Sequence, residues 1–159
     1  MALWTLDEQL MIRPIESNNF QKFEMLQKEV EQNDLQLYLG FEFYQELQRN
    51  TANYSLLLNG GTYYQSGVAY RFAGLKNVCS YLLYARYIRQ SYLQDTFSGF
   101  VAHTGNDFQR VSSEELRNQE SRNKEIAGTY WDECLRYLYT LNLDYFPQKS
   151  TRKNRISCL

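Results

Sequence analysis

Apolar side chains recur every third or fourth residue along much of this chain, and that period predicts its helices. Ser17 or Asn18 can cap a first helix running to about residue 32, with Phe20, Phe23, Leu26 and Val30 on one face. Asn33-Asp34 restarts a second piece over 35–39, which Gly40 interrupts before another over 41–47. Glycine inside a helix costs about 1 kcal/mol against alanine, so a bend or a close crossing is expected there. A short turn of helix over 52–58 stops at Asn59-Gly60-Gly61. The period then shortens to two. Residues 62–65 and 68–72 flank Ser66-Gly67, which predicts a hairpin. Over 74–93, Leu75, Val78, Cys79, Leu82, Leu83, Ala85 and Ile88 leave little of the circumference polar, marking a central buried helix.

Residues 94–111 lack the helical period and contain Gly99, Gly105 and Asn106. They are expected to form a hairpin arm, 100–104 paired with 108–111, and such long insertions between helices often carry function. Ser112 followed by Glu115 is a capping box that opens a last helix to about Leu141. From Arg117 to Glu125 every residue is polar, over roughly 13 Å of helix at 1.5 Å per residue. Such a stretch is expected to project into solvent or into a hydrated contact. Beyond Ile126 the core face returns with Ala127, Tyr130, Cys134, Tyr137 and Leu138. The first sixteen residues alternate weakly around Pro14, so an extended arm is expected. Its Leu3, Trp4, Leu6, Leu10, Met11 and Ile12 either fold back on the body as an edge strand or dock on a neighbour. The organisation is therefore an arm (1–16), a mainly α helical bundle with a small β-hairpin (17–147, including the inserted arm 94–111), and a tail (148–159).

At 159 residues one domain can bury a core without metals or disulfides. The net charge of −1 gives the whole chain no preference for nucleic acid or membrane. The tail, however, carries Lys149, Arg152, Lys153 and Arg155 without an acid, which suits a tether onto an acidic partner or passing DNA. Cys79, Cys134 and Cys158 lack zinc spacing, and their odd number argues against a disulfide framework. Cys79 and Cys134 read as small buried hydrophobes. No segment resembles a signal peptide or a membrane span, so a reducing cytosol is expected. Fourteen tyrosines offer apolar faces with hydrated tips, which suit both a core and subunit contacts.

Catalytic chemistry finds little purchase. His103 is the sole histidine and sits on the predicted arm, a poor platform for a triad. Asn59-Gly60-Gly61-Thr62 lacks the spacing and the lysine of a phosphate loop. Glu114-Glu115 reads as compensation of a helix dipole. Arg86 and Arg89 lie beside Tyr84, Tyr87 and Tyr92, but on so apolar a helix they are expected to bridge acids on neighbouring elements. The chain is thus expected to be no enzyme and to need no cofactor or metal.

Several segments in order carry a resemblance: DLQLYLGFEFYQEL, YSLLLNGGTYY, GLK followed by SYLLYARYI, SSEELRNQ and YLYTLNLDYFP. Together they resemble the head–tail connector, or adaptor, proteins of tailed bacteriophages, closest to those of phages and prophages of Bacteroides-type bacteria (crAss-like). The resemblance implies a structural virion protein of the neck. It would form a homo-oligomeric ring of about twelve copies that joins the capsid portal protein to the tail or further neck rings and lines the DNA channel. It would be assembled in the bacterial cytoplasm, with non-specific proximity to packaged DNA and no membrane. Leu3, Trp4, Leu6, Phe97, Phe100 and Phe108 on the two arms would reach neighbours. Arg117, Glu120 and Lys124 on the polar half-helix would lie at a hydrated ring contact. Lys149, Arg152, Lys153 and Arg155 would face a neighbouring ring or DNA. A rival reading is a small non-enzymatic adaptor that binds one soluble partner without forming a ring. A carboxylate enzyme is a more distant rival.

Overall fold

The computed structural model describes residues 3–15, 20–91, 93–96, 99–102, 112–141 and 143. The fold is mainly helical with small antiparallel hairpins, as the pattern predicts. In order come α1 (Leu6–Ile12), α2 (Phe20–Glu29), a π-helical segment (Val30–Leu35), α3 (Gln36–Leu39) and α4 (Phe41–Arg49). A 3₁₀ turn (Thr51–Tyr54), α5 (Ser55–Asn59), β1 (Gly61–Gln65), β2 (Val68–Phe72) and α6 (Leu75–Ser91) follow. β3 (Leu93–Thr96), β4 (Gly99–Ala102) and α7 (Ser113–Thr140) complete the described chain.

The fold departs from the sequence reading at three places. Residues 6–12 are helical rather than extended, because Thr5 and Glu8 form a complete capping box ahead of them. Asn33-Asp34 does not restart a helix. The helix runs on through a π segment whose i→i+5 bonding brings Val30 and Leu35 to the same side, both fully buried. The second hairpin forms earlier than expected, with Leu93 opposite Ala102 and Thr96 opposite Gly99. Within the expected pairing of 100–104 with 108–111, residues 103, 104 and 108–111 lie outside the described residues.

The first hairpin has the expected register, Gly61 opposite Phe72 through Gln65 opposite Val68. Ser66 and Gly67 both take positive φ, the geometry that suits a two-residue turn. Its base is held by a close backbone crossing. A Cβ on Gly74 (φ 89°) would lie 2.2 Å from the Gly60 nitrogen, and one on Gly60 would lie 2.4 Å from the Ala73 carbonyl. The strands then reach α7, where Phe72 stacks on Tyr137 at 4.9 Å and Tyr63 lies 5.2 Å from the same ring.

The core centres on α6 packed against α7. Ala73 N–H donates to Glu133, and Tyr81 meets Tyr130 edge-on farther along, so the two helices run in opposite directions. Leu75, Val78, Leu82 and Leu83 pack with Ala127, Trp131, Cys134 and Leu138 in one buried cluster. α2, the π segment, α4 and α5 add Phe23, Leu26, Leu35, Phe43, Leu47 and Leu57. Tyr38 stacks on Trp131 at 4.9 Å and fixes α3 to α7.

The crossing yields a direct expectation. Gly74→Ala adds a positive-φ penalty of about 1–2 kcal/mol to a backbone clash. It should lower stability by at least ~2 kcal/mol in urea unfolding. A loss below ~0.5 kcal/mol would show that the crossing is not a fixed constraint.

Candidate interaction surfaces

The front of the chain is clamped by buried polar groups. Phe23, Gln27 and Glu31 recur every four residues, which places Gln27 and Glu31 on the inward face of α2 and its π extension. Glu31 accepts the Leu3 N–H at 3.0 Å, and Gln27 donates to the Trp4 carbonyl. Trp4, 1% exposed, lies edge-on to Phe23, and its indole N–H donates to Gln9 at 3.2 Å. Gln9 donates onward to the Ser80 carbonyl at 3.3 Å on α6. Lys76 pairs with Glu8 at 2.6 Å, and the Arg13 guanidinium sits 4.2 Å from the centre of the Tyr84 ring.

The charges in this clamp are shifted for different reasons. Burial raises the Glu31 carboxyl, against hydrogen bonds from Leu3 and Tyr44. The Tyr44 hydroxyl is pushed up to about 12 by burial and by the Glu31 charge beside it. At Glu8 burial also acts upward, but Lys76 and the Thr5 cap outweigh it, and the carboxyl stays below its usual range. Cys79 and Cys134 are buried free thiols whose pKa values burial raises, which leaves them inert at neutral pH.

Arg86 behaves as its position on an apolar helix predicts. It meets Asp34 at 2.8 and 3.1 Å and Glu29 at 3.3 Å. Two carboxylates already claim it, so it is poorly placed to bind phosphate. Arg89 is exposed. Among the described residues no group of three or more His, Cys, Asp or Glu could hold a metal ion. Among them also, no helix is long and apolar enough to cross a membrane.

The expected contact residues fall in different places. Leu3 and Trp4 belong to this chain's own core, and Leu6 is partly buried against it. The arm thus folds back on its body, as a helix rather than an edge strand. Phe97 and Phe108 lie outside the described residues, as do His103 and the basic residues Lys149, Arg152, Lys153 and Arg155. Phe100 lies in β4 opposite Asp95. Arg117 and Lys124 are exposed, and Lys124 is tied to half-buried Glu120 by an i,i+4 ion pair of 2.7 Å. The polar half-helix otherwise projects outward except at Asn123. Asn123 is 1% exposed, and its amide donates to the Gln119 carbonyl at 2.6 Å.

Met11, named from the sequence on the arm, is 85% exposed, but several other exposed apolar groups were not singled out there. Leu37 and Phe41, 80% and 67% exposed, straddle the bend at Gly40 (φ 77°). Tyr64 is 75% exposed on the hairpin, and Val68 and Tyr70 also face solvent. A signal for the first pair was present. Leu37 and Phe41 sit out of phase with Leu35, Leu39 and Phe43, which are all fully buried.

Residues 35–156 match the model of DUF6712, a family of unknown function. The chain belongs to DUF6712. The matched span starts inside the π segment and takes in the Gly40 bend, the hairpin, α6 and α7, while α1 and α2 precede it. No curated protein and no solved structure matches the chain.

Glu31 makes the clamp testable by pH. A carboxyl whose pKa is raised by folding favours the native state while protonated. That contribution is complete below about pH 4.5 and declines as pH rises through the folded value. Glu31→Gln removes the ionisation and keeps an acceptor for Leu3 and Tyr44. Its stability relative to the parent chain should therefore improve from pH 4 to pH 7.5 in denaturant unfolding. A relative stability that worsens over that range would mean that the ionised carboxylate is favoured in place.

Proposed function

We propose that this chain is a structural subunit of a tailed-phage neck, assembling as a ring of about twelve copies between the capsid portal and the tail. The observation that carries the reading is where its exposed apolar side chains fall. Leu37 and Phe41 lie in DLQLYLGFEFYQEL, and Tyr64 ends YSLLLNGGTYY. These are two of the segments that resemble connector proteins, and both present large apolar groups to solvent. Large apolar groups that the chain's own core leaves uncovered fit contact sites. Tyr64 and Tyr70 add the amphipathic character favoured where surfaces are hydrated before they assemble. The hairpin itself is two-stranded, with neither outer edge paired to another strand among the described residues. Such edges invite pairing unless a partner covers them.

In this reading the Gly40 bend and the hairpin form the apolar parts of a subunit contact, and α7 supplies a hydrated part through Arg117, Glu120 and Lys124. Phe97, Phe100 and Phe108 add a second arm, and Lys149, Arg152, Lys153 and Arg155 face an adjoining ring or DNA without sequence preference. The chain performs no catalysis in this role.

Replacing Phe41 and Tyr64 together with Ser tests the contact directly. Both side chains are solvent-facing in the isolated chain, so thermal stability should change little. Light scattering should show at least a tenfold weaker self-association, since each buried aromatic contact is worth roughly 1.4 kcal/mol or more. Unchanged association would sink the role of these two surfaces.

A further inference from the structure

Asn59 and Gly60 form the single Asn-Gly pair in the chain. Such a pair can react with itself, without an enzyme. The Gly60 nitrogen, once it gives up its proton, can attack the Asn59 Cγ, because the glycine has no Cβ to obstruct the approach. The new C–N bond closes a five-membered succinimide, and the side-chain nitrogen leaves with the proton as ammonia. Water then opens the ring. Opening at the side-chain carbonyl gives aspartate. Opening at the backbone carbonyl gives isoaspartate, whose main chain is one carbon longer.

The fold holds both reacting groups out of this reaction. Asn59 is the last residue of α5, and Gly60 follows as its cap with φ 75°. The Gly60 N–H donates to the Leu56 carbonyl at 2.9 Å, so the attacking nitrogen keeps its proton in a helical bond. The Asn59 amide turns back along the helix and donates to the Ser55 carbonyl at 2.9 Å. Ring closure needs rotation about the Asn59 Cα–C bond, away from the helical value. Residues 72–74 stand against that rotation. A Cβ on Gly74 would lie 2.2 Å from the Gly60 nitrogen and 2.6 Å from the Asn59 carbonyl carbon. One on Gly60 would lie 2.6 Å from the Phe72 carbonyl oxygen. Backbone packed this closely leaves the 59–60 peptide no room to turn. Asn59 itself is exposed, so water reaches its side chain as soon as the end of α5 opens.

We propose that Asn59–Gly60 is a deamidation site gated by the fold, reacting only in molecules where the end of α5 has parted from residues 72–74. The reaction also opposes the return. Either product replaces the amide donor facing the Ser55 carbonyl with a carboxylate, which cannot donate and is repelled there. Isoaspartate in addition inserts one carbon immediately before the crossing that sets the base of the hairpin and the start of α6. The modification therefore records an opening of this joint and makes it permanent. It is independent of whether the chain assembles into a ring.

The test uses the full-length chain at mildly alkaline pH, one portion folded and another unfolded in guanidinium chloride. Peptide mass spectrometry follows aspartate and isoaspartate at position 59, told apart by their fragment ions. The folded chain should react slower by about tenfold or more, since only its opened fraction is reactive. Equal rates would overturn the inference, as would a failure of the unfolded chain to react. The unfolded portion is then returned to native buffer. Chains with isoaspartate at 59 should unfold at lower denaturant than unmodified chains, with Asn59→Asp between the two. Isoaspartate chains as stable as unmodified ones would show that the joint accommodates the extra carbon, and would overturn its one-way character.

Discussion

Helix α6 has to be covered on nearly every side, and the rest of the fold follows from that requirement. Leu75, Val78, Cys79, Ser80, Leu82, Leu83, Ala85 and Ile88 are buried, and of the remaining positions over 76–90 only Arg89 is exposed. A helix apolar almost all round cannot be stable on a surface. α7 covers one side, the α2–π segment another, and the front of the chain a third through Lys76, Ser80 and Tyr84. The Gly60–Gly74 crossing fixes where α6 begins and, with it, where the hairpin stands.

This arrangement separates two kinds of polar group. Of the inward ones, Gln27 and Glu31 bond to the backbone of the front segment, and Gln9, on that segment, donates back to the Ser80 carbonyl on α6. Buried polar groups of this kind favour one register over its alternatives, because a displaced segment would leave them unpartnered. The outward ones, along the first half of α7, make local pairs such as Glu120–Lys124 and leave a hydrated surface. Between them stand Leu37, Phe41 and Tyr64, apolar groups that the chain's own core does not cover.

Much of the fold was legible in the sequence. The helical period located α2, α4, α6 and α7, the Ser66-Gly67 turn gave the first hairpin its register, and Ser112 with Glu115 gave α7 its start. The misses have physical reasons. A π segment keeps the apolar period of its flanks but shifts its phase, so Asn33-Asp34 looks like a break. Thr5-Leu6-Asp7-Glu8 is a capping box, but the nearby Pro14 and the weak alternation drew the reading toward an extended arm. The exposed apolar groups were less legible, because Leu37 and Phe41 differ from core residues only in phase. Trp4 shows the converse difficulty. An apolar residue near a terminus is equally suited to its own body and to a neighbour, and sequence alone does not rank the two.

The central claim is that the chain works by contact within a particle, and its presence in particles is the most direct measurement. Quantitative mass spectrometry of purified phage from the source that encodes it should find about twelve copies per particle, or a small multiple, as the proposed ring predicts. Absence of the chain from such particles would contradict the account and leave an adaptor with a soluble partner in its place.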